Sequence, residues 1–336
     1  MLRYTVRRLL QLIAVMAVLS LLLFAWLRAL PGGPVSALLG DRATEESRRN
    51  LRAQLGLDQP IIVQYAKFLG RALSGDFGMS TGVQTGDSAV ELFVQRFPAT
   101  IELAVIALVI AVSIGIPLGY MAARRRDSIL DNVSVVSSLI GVAVPVFFLA
   151  YLLKYIFAVK LGWLPDSGRQ AGDIGATRVT GFFILDGILT REWDAAFDAF
   201  LHLILPAIAL ATIPFAVVFR ITRAAVLDVL NEDYVRTARS KGLTASVIRS
   251  RHVLRNAMLP VVTTIGLQTG GLLAGAILTE KVFAYPGLGQ ALALSFEKRD
   301  YPVLQLLVLC AAIVYVLVNL TVDLSYAVID PRVRTR

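Results

Sequence analysis

Few residues in this sequence have the chemistry of a catalytic site. There are two histidines, His202 and His252, and one cysteine, Cys310, which lies in an apolar run. A lone cysteine excludes an intramolecular disulfide and a thiolate metal cluster. No G-x-x-x-x-G-K-[ST] phosphate loop occurs, and no glycine is followed by lysine. Two histidines so far apart cannot make H-E-x-x-H, and there is no G-x-S-x-G elbow. The chain is therefore expected not to be an enzyme and to bind no cofactor or metal of its own.

Among the ionisable residues in the apolar runs, Glu102, Lys154 and Asp323 are the candidates for an intramembrane role. Such groups mark ion and substrate pathways in secondary transporters and channels. All three lie near the ends of their runs, and no inverted repeat is visible. Each also has a plainer reading. Glu102 would face water or a neighbouring subunit, Lys154 would snorkel to the headgroups, and Asp323 would pair with a basic group at the inner interface.

The densest polar pattern is Asp233–Pro260, DYVRTARSKGLTASVIRSRHVLRNAMLP, a basic segment between two apolar runs. It carries Arg236, Arg239, Lys241, Arg249, Arg251, His252 and Arg255, and Gly242 divides it into two helical pieces. Thr237, Ala238, Leu243, Val247 and Ile248 recur at roughly helical spacing, giving each piece a narrow apolar stripe. A basic amphipathic helix–glycine–helix can lie on anionic headgroups or present a surface to a soluble partner. It can also be a solvated loop on the positive side of a membrane.

The elements that must hold these residues are membrane spans. Hydrophobic residues make up 56% of the 336, charged residues 17%, and the mean hydropathy is +0.69. Candidate spans are Leu9–Leu30, Ala99–Ala122, Val133–Ala158, Leu201–Ala225, Leu259–Thr279 and Val303–Val328. Each is long enough to cross about 30 Å of hydrocarbon. Arg3, Arg7 and Arg8, then Arg124–Arg126, Arg220, Arg223 and the basic segment, then Arg332, Arg334 and Arg336, all fall on one side. Segment 31–98 on the other side balances seven basic residues with seven acidic ones. The positive-inside rule puts both termini and the basic loop in the cytoplasm. The net charge of +9 is then a product of topology, and no nucleic-acid partner is expected. The first span is too long for a signal peptide and is read as a retained anchor.

Outside the spans, Thr44 is placed to cap a helix from Glu45 to about Leu55, with Gly56 ending it. Ile61, Ile62, Tyr65, Phe68, Leu69 and Leu73 then share helical spacing up to Ser74-Gly75, expected as a small helical layer over the span mouths. Pro117 and Gly119 suggest a kink in the second span, and Pro145 lies inside the third. Segment 170–200 is polar and acidic, and its FFILDGIL is too short to cross a membrane. In the fifth span, Gly266 with Gly270 and Gly271 with Gly275 form two small-xxx-small faces suited to a dimer seam or pore lining.

Several of these stretches resemble one family. The basic loop is similar to that of permease subunits in binding-protein-dependent ATP-binding-cassette importers, whose signature is Glu-Ala-Ala, three residues, Gly, then a distal Leu-Pro. The matching positions here are Arg236, Thr237, Ala238, Gly242, Leu259 and Pro260. The first two depart from the general pattern, and the gap to Pro260 is longer, as in the peptide-transport branch. The PGGP turn (with Gly33 where the family has an acidic residue), LGLDQP, SGDFGMS, LGWLPDSG, TEKVFAYPGLG and the C-terminal Asn319, Asp323, Tyr326, Asp330, Pro331 and Arg332 resemble its B-type peptide permeases in order and spacing.

The resemblance implies an all-α integral membrane protein of six transmembrane helices, with the MetI-like permease fold and a helical extracytoplasmic region after the first. The divisions are then 1–30 for the tail and first span, 31–98 for the extracytoplasmic region, and 99–336 for the permease core. Within the core lie a coupling loop at 226–258 and an extracytoplasmic loop at 159–200. Tyr234, Arg236, Thr237, Ala238, Lys241 and Gly242 would couple to the ATPase, and Glu280, Phe283, Pro286 and Gly287 would form an extracytoplasmic gate. Implied partners are the lipid bilayer, a second homologous permease subunit in a heterodimer, two ATP-binding subunits and an extracytoplasmic peptide-binding protein. ATP and Mg would sit on the partner subunits. The location would be the bacterial cytoplasmic (inner) membrane. The implied solute is a di- or oligopeptide, although relatives with similar motifs carry nickel, glutathione or sugars.

Overall fold

The computed structural model describes residues 2–29, 35, 39, 44–54 and 56–329. The PGGP turn with Gly33, and Asp330, Pro331 and Arg332, lie outside the described residues, as do the side chains of Asp323 and Tyr326. Among the described residues there is no β-strand, only a bridge pairing Met79 with Ser88.

The chain begins with the arginine-flanked helix α1 (Leu2–Ala29). Helix α2 (Glu45–Gln54) starts where expected, with the Ser47 amide donating to Thr44 Oγ1 at 3.2 Å. Gly56 follows it at φ +63°. Helix α3 (Ile61–Ser74) stops at Gly75, φ +76°, where the Asp76 amide reaches back to the Arg71 carbonyl at 2.9 Å. That αL ending is what a glycine after the last apolar position is for.

Helix α4 (Ala89–Arg124) runs through Pro117 without a break. Its Gly115 and Gly119 meet α8 (Trp193–Leu230) at close range. A Cβ on Gly119 would stand 2.8 Å from the Phe219 carbonyl oxygen, and one on Gly115 3.1 Å from Val218. This is a small-xxx-small contact within the chain, made by the second span.

The third apolar run is broken. Helix α5 (Ile129–Ala143) and helix α6 (Val146–Leu153), which continues as a π-helical stretch Lys154–Lys160, bend by 104° at their junction. Pro145 lacks the amide the helix would need and forces the residue before it out of the helical region; Val144 is extended at φ −80°, ψ 125°. Helix α7 (Phe183–Thr190) lies in the segment between this pair and α8. Beyond α8 come α9 (Asp233–Ser240), a helical turn Ala245–Val247, a π-helical stretch Ile248–Leu254, and α10 (Arg255–Val282). The chain finishes with α11 (Leu288–Glu297) and α12 (Tyr301–Ile329).

Among the described residues, four helices are long and apolar enough to cross a membrane: Leu10–Ala29, Ala89–Arg124, Trp193–Leu230 and Tyr301–Thr321. The α5–α6 pair and the bent α10 region, counted as one crossing each, bring the total to six.

Two compact units divide the chain, residues 1–98 with 286–317, and 99–285 with 318–336. The first therefore takes α11 and much of α12, which the sequence divisions place in the permease core. Its interior joins Leu23, Phe24 and Leu27 of α1 with Phe68 of α3 and Tyr301, Leu304 and Leu309 of α12. The second unit is built around α8, which packs most extensively on α10.

Candidate functional site

The basic loop is a folded platform. Val235 and Ala238 of α9 turn inward and join Ala123, Val226, Ile248, Val253 and Ala257 in one apolar cluster. Of the six residues expected to couple to an ATPase, Ala238 is therefore an anchor of this cluster and not a surface residue. Tyr234, Arg236, Thr237, Lys241 and Gly242 are exposed. The Tyr234 hydroxyl accepts from Asn256 Nδ2 at 3.0 Å, which ties α9 to the start of α10. Gly242 sits at φ +74° with open space where a Cβ would stand, so it is the backbone angle that requires glycine. The Leu243 amide donates to the Ala238 carbonyl at 3.3 Å, closing the turn. The second helical piece does not stand apart: it feeds through the π-helical stretch into α10. Leu243, expected on the apolar stripe, is exposed.

Where α8 leads towards this loop it is fixed by an ion pair. Arg223 Nε donates to Asp131 Oδ1 at 2.6 Å, and its terminal nitrogen donates to Oδ2 at 2.7 Å. Asp131 is buried in the first turn of α5, whose N-cap is Ser128, and its Oδ2 also accepts from the Asp127 amide. The two-pronged fit holds direction as well as charge.

A second cluster forms around Glu102. Its carboxylate is buried, accepting from Arg169 at 2.7 Å and from the Ile184 amide at 2.9 Å. Glu102 therefore faces neither water nor another subunit, contrary to the sequence expectation. Arg169 also donates to the Gly181 carbonyl, and both its guanidinium and that of Arg178 lie over the Phe183 ring. Asp186 accepts from the Thr180 hydroxyl at 2.6 Å and from the Thr180 and Gly181 amides. Burial pushes the Asp186 carboxyl up, but the Thr180 and Gly181 hydrogen bonds outweigh it and hold it below the usual range. Gly187 packs against Ala196, where a Cβ would stand 2.7 Å from the backbone nitrogen. The 166–198 segment is thus fastened by buried polar groups.

Of the expected gate residues, Glu280 and Phe283 are buried at the end of α10. Thr100 Oγ1 donates to Glu280 Oε1 at 2.7 Å, and the Gly168 amide donates to the Phe283 carbonyl at 2.9 Å. Pro286 and Gly287 belong to the other compact unit. Lys154, expected to snorkel, donates instead to the Val282 carbonyl at 3.2 Å. The four glycines of α10 have different surroundings within the chain. Gly270 is buried, a Cβ on Gly275 would stand 3.2 Å from Leu210 of α8, Gly271 faces open space and Gly266 is half-buried.

In the first unit, a further buried carboxylate, Asp300, has no sequence signal. Asp300 Oδ2 accepts from Ser80 Oγ at 2.6 Å and from the successive amides of Thr81, Gly82 and Val83 at 3.1, 2.9 and 2.9 Å. Burial pushes the Asp300 carboxyl up, but these four donors more than offset it and hold it below the usual carboxylate range.

Comparison with known proteins matches both halves of the chain. Residues 115–335 fit the model of the binding-protein-dependent transport system inner membrane component, and residues 1–104 fit that of its N-terminal region. The dipeptide transport system permease protein DppB of Escherichia coli K12 is 45% identical over 99% of both chains. The protein of that name from Alkalihalophilus pseudofirmus is 41% identical over 99% of this chain and 100% of its own. The di/tripeptide transport system permease protein DppB of Pseudomonas aeruginosa is 42% identical over 99% of both. With this coverage and the helical membrane architecture, the chain belongs to the family of binding-protein-dependent transport system inner membrane components, as a multi-pass membrane protein.

Proposed function

We propose that this chain is the permease subunit of an ATP-binding-cassette importer for dipeptides and short oligopeptides. It would sit in a bacterial cytoplasmic membrane with both termini inside. It would form half of the pathway beside a homologous permease, with two ATP-binding subunits that hold ATP and Mg, and an extracytoplasmic peptide-binding protein. The observation that carries this reading is the basic loop: a platform with its own apolar underside that leaves Tyr234, Arg236, Thr237 and Lys241 exposed between two spans. The relatives named for dipeptide transport support the substrate class.

The geometry gives the loop a lever's construction. A push on α9 passes through Val235 and Ala238 into Val226 of α8 and Ala257 of α10. The Asp131–Arg223 pair carries it on to α5. An ATP-independent transporter is disfavoured because Glu102 and Lys154 are both committed to partners within the chain. Mild detergent extraction of tagged chain tests the proposal. Recovery with a second permease and ATP-binding subunits, and ATP-dependent dipeptide uptake by the reconstituted complex, are expected. Recovery of the chain alone with uptake in the absence of ATP would overturn it.

A further inference from the structure

Helix α3 has three faces at 100° per residue. Tyr65, Phe68 and Ala72 face the protein, in the cluster shared with α1 and α12. Lys67, Arg71 and Ser74 form an exposed polar face. Between them runs an apolar stripe of Ile62, Ala66, Leu69 and Leu73, spaced four, three and four residues apart. Ile62 is 78% and Leu73 81% exposed, and none of the described residues of the first unit covers them.

The contacts of α3 fix its height along α1. The Tyr65 hydroxyl hydrogen-bonds Ser20 Oγ at 2.9 Å, and Phe68 meets Phe24 at a ring separation of 5.6 Å. Ser20 lies about 14 Å along the helix from Ala29, at 1.5 Å per residue. The apolar span Leu10–Ala29 is 20 residues long, which matches the hydrocarbon thickness, so Ser20 is near its middle, while Phe24, which meets both Tyr65 and Phe68, lies about 8 Å from its end. A helix joined there is too deep to be a cap standing in water. The turn before α3 is finished accordingly: Gln64 Nε2 donates to the Leu57 and Gln59 carbonyls at 2.9 and 2.6 Å, as backbone near hydrocarbon requires.

We infer that α3 is a membrane-interfacial helix, with Ile62, Ala66, Leu69 and Leu73 against lipid acyl chains and Lys67 and Arg71 reaching the headgroup phosphates. The leaflet is the outer one under the topology proposed above, on which this inference rests. The stripe is continuous in kind with the exposed Leu21 and Leu22 of α1, and the two basic residues beside it complement phosphate charge. Helix α3 is thus held in the bilayer surface and does not stand above it.

The test uses the purified importer assembly in phosphatidylethanolamine–phosphatidylglycerol nanodiscs. Single cysteines at Ile62→Cys, Leu73→Cys, Lys67→Cys and the α1 reference Leu22→Cys, in a Cys310→Ala background, carry nitroxide labels. Collision with oxygen, which concentrates in lipid, is compared with collision with a water-soluble nickel chelate. Positions 62 and 73 are expected to show the oxygen excess of position 22, and position 67 a smaller one. Nickel access at 62 and 73 with an oxygen excess at 22 would overturn the inference alone, returning α3 to water. Exclusion of both probes at 62 and 73 would also overturn it, by showing another protein over the stripe. Nickel access at position 22 would sink the membrane reading of α1 together with it.

Discussion

The basic loop and the Glu102 cluster use charge in opposite ways. In the loop, Arg236 and Asp233 approach to 3.5 Å while both stay exposed, a pairing worth little in water. The apolar side chains beneath do the holding. In the Glu102 cluster the ion pair is at 2.7 Å and both partners are buried, so the charges themselves hold the segment. Charge left in water is available to a second molecule, whereas buried charge is committed to its own chain. The loop is therefore the place to look for recognition, and the Glu102 cluster the place to look for fastening.

Removing one partner tests the fastening most severely. Glu102→Ala leaves Arg169 buried and unpaired, which costs about 3–5 kcal/mol. Thermal unfolding in detergent should fall markedly, with early proteolysis in the 170–182 segment. The double change Glu102→Leu with Arg169→Met should recover much of the loss; no recovery would mean the pair itself is needed. Gly242→Pro should leave the chain in the membrane and abolish uptake, since proline cannot adopt φ +74° or donate the amide bonded to Arg239. Normal uptake would remove the turn from the mechanism. Arg236→Ala should shift stability by no more than about 0.5 kcal/mol, as expected for exposed positions, while lowering ATP-driven uptake. A large stability loss there would blur the contrast between the two regions.

The smallest effect concerns pH. Because the folded Asp300 carboxyl lies below its unfolded value, its contribution is present above about pH 4, the ordinary aspartate range. It is lost as pH falls through the lower folded value. Acid should loosen residues 80–83 in the parent chain, and Asp300→Asn should remove that dependence, as read by proteolysis across pH.

The apolar runs, the Thr44 start of α2 and the Gly75 end of α3 are legible in the sequence because each is a local signal a few residues long. So is Gly242, whose turn needs only its own backbone. The break at Pro145 is visible as a proline, but the run around it is long enough for one crossing, and length alone favours an unbroken span. Arg169 with Glu102, Asp131 with Arg223 and Ser80 with Asp300 join residues 67, 92 and 220 apart. Nothing in the neighbourhood of either member announces such a pairing. The glycines are legible as small-xxx-small, and both Gly119 of α4 and Gly275 of α10 come close to α8. Spacing says that a close approach is possible and not which partner arrives.

The Asp300 nest also has a consequence for biogenesis. The amides of Thr81, Gly82 and Val83 find their acceptor only when a residue more than 200 positions later has been made. At ribosomal speeds of about 5–20 residues per second, that is a wait on the order of 10–40 s. For that interval, residues 80–83 have no native acceptor for these amides and depend on water or a chaperone. A nascent chain arrested before Asp300 should therefore be cleaved readily at 80–83, and protection there reports that synthesis has reached the last span.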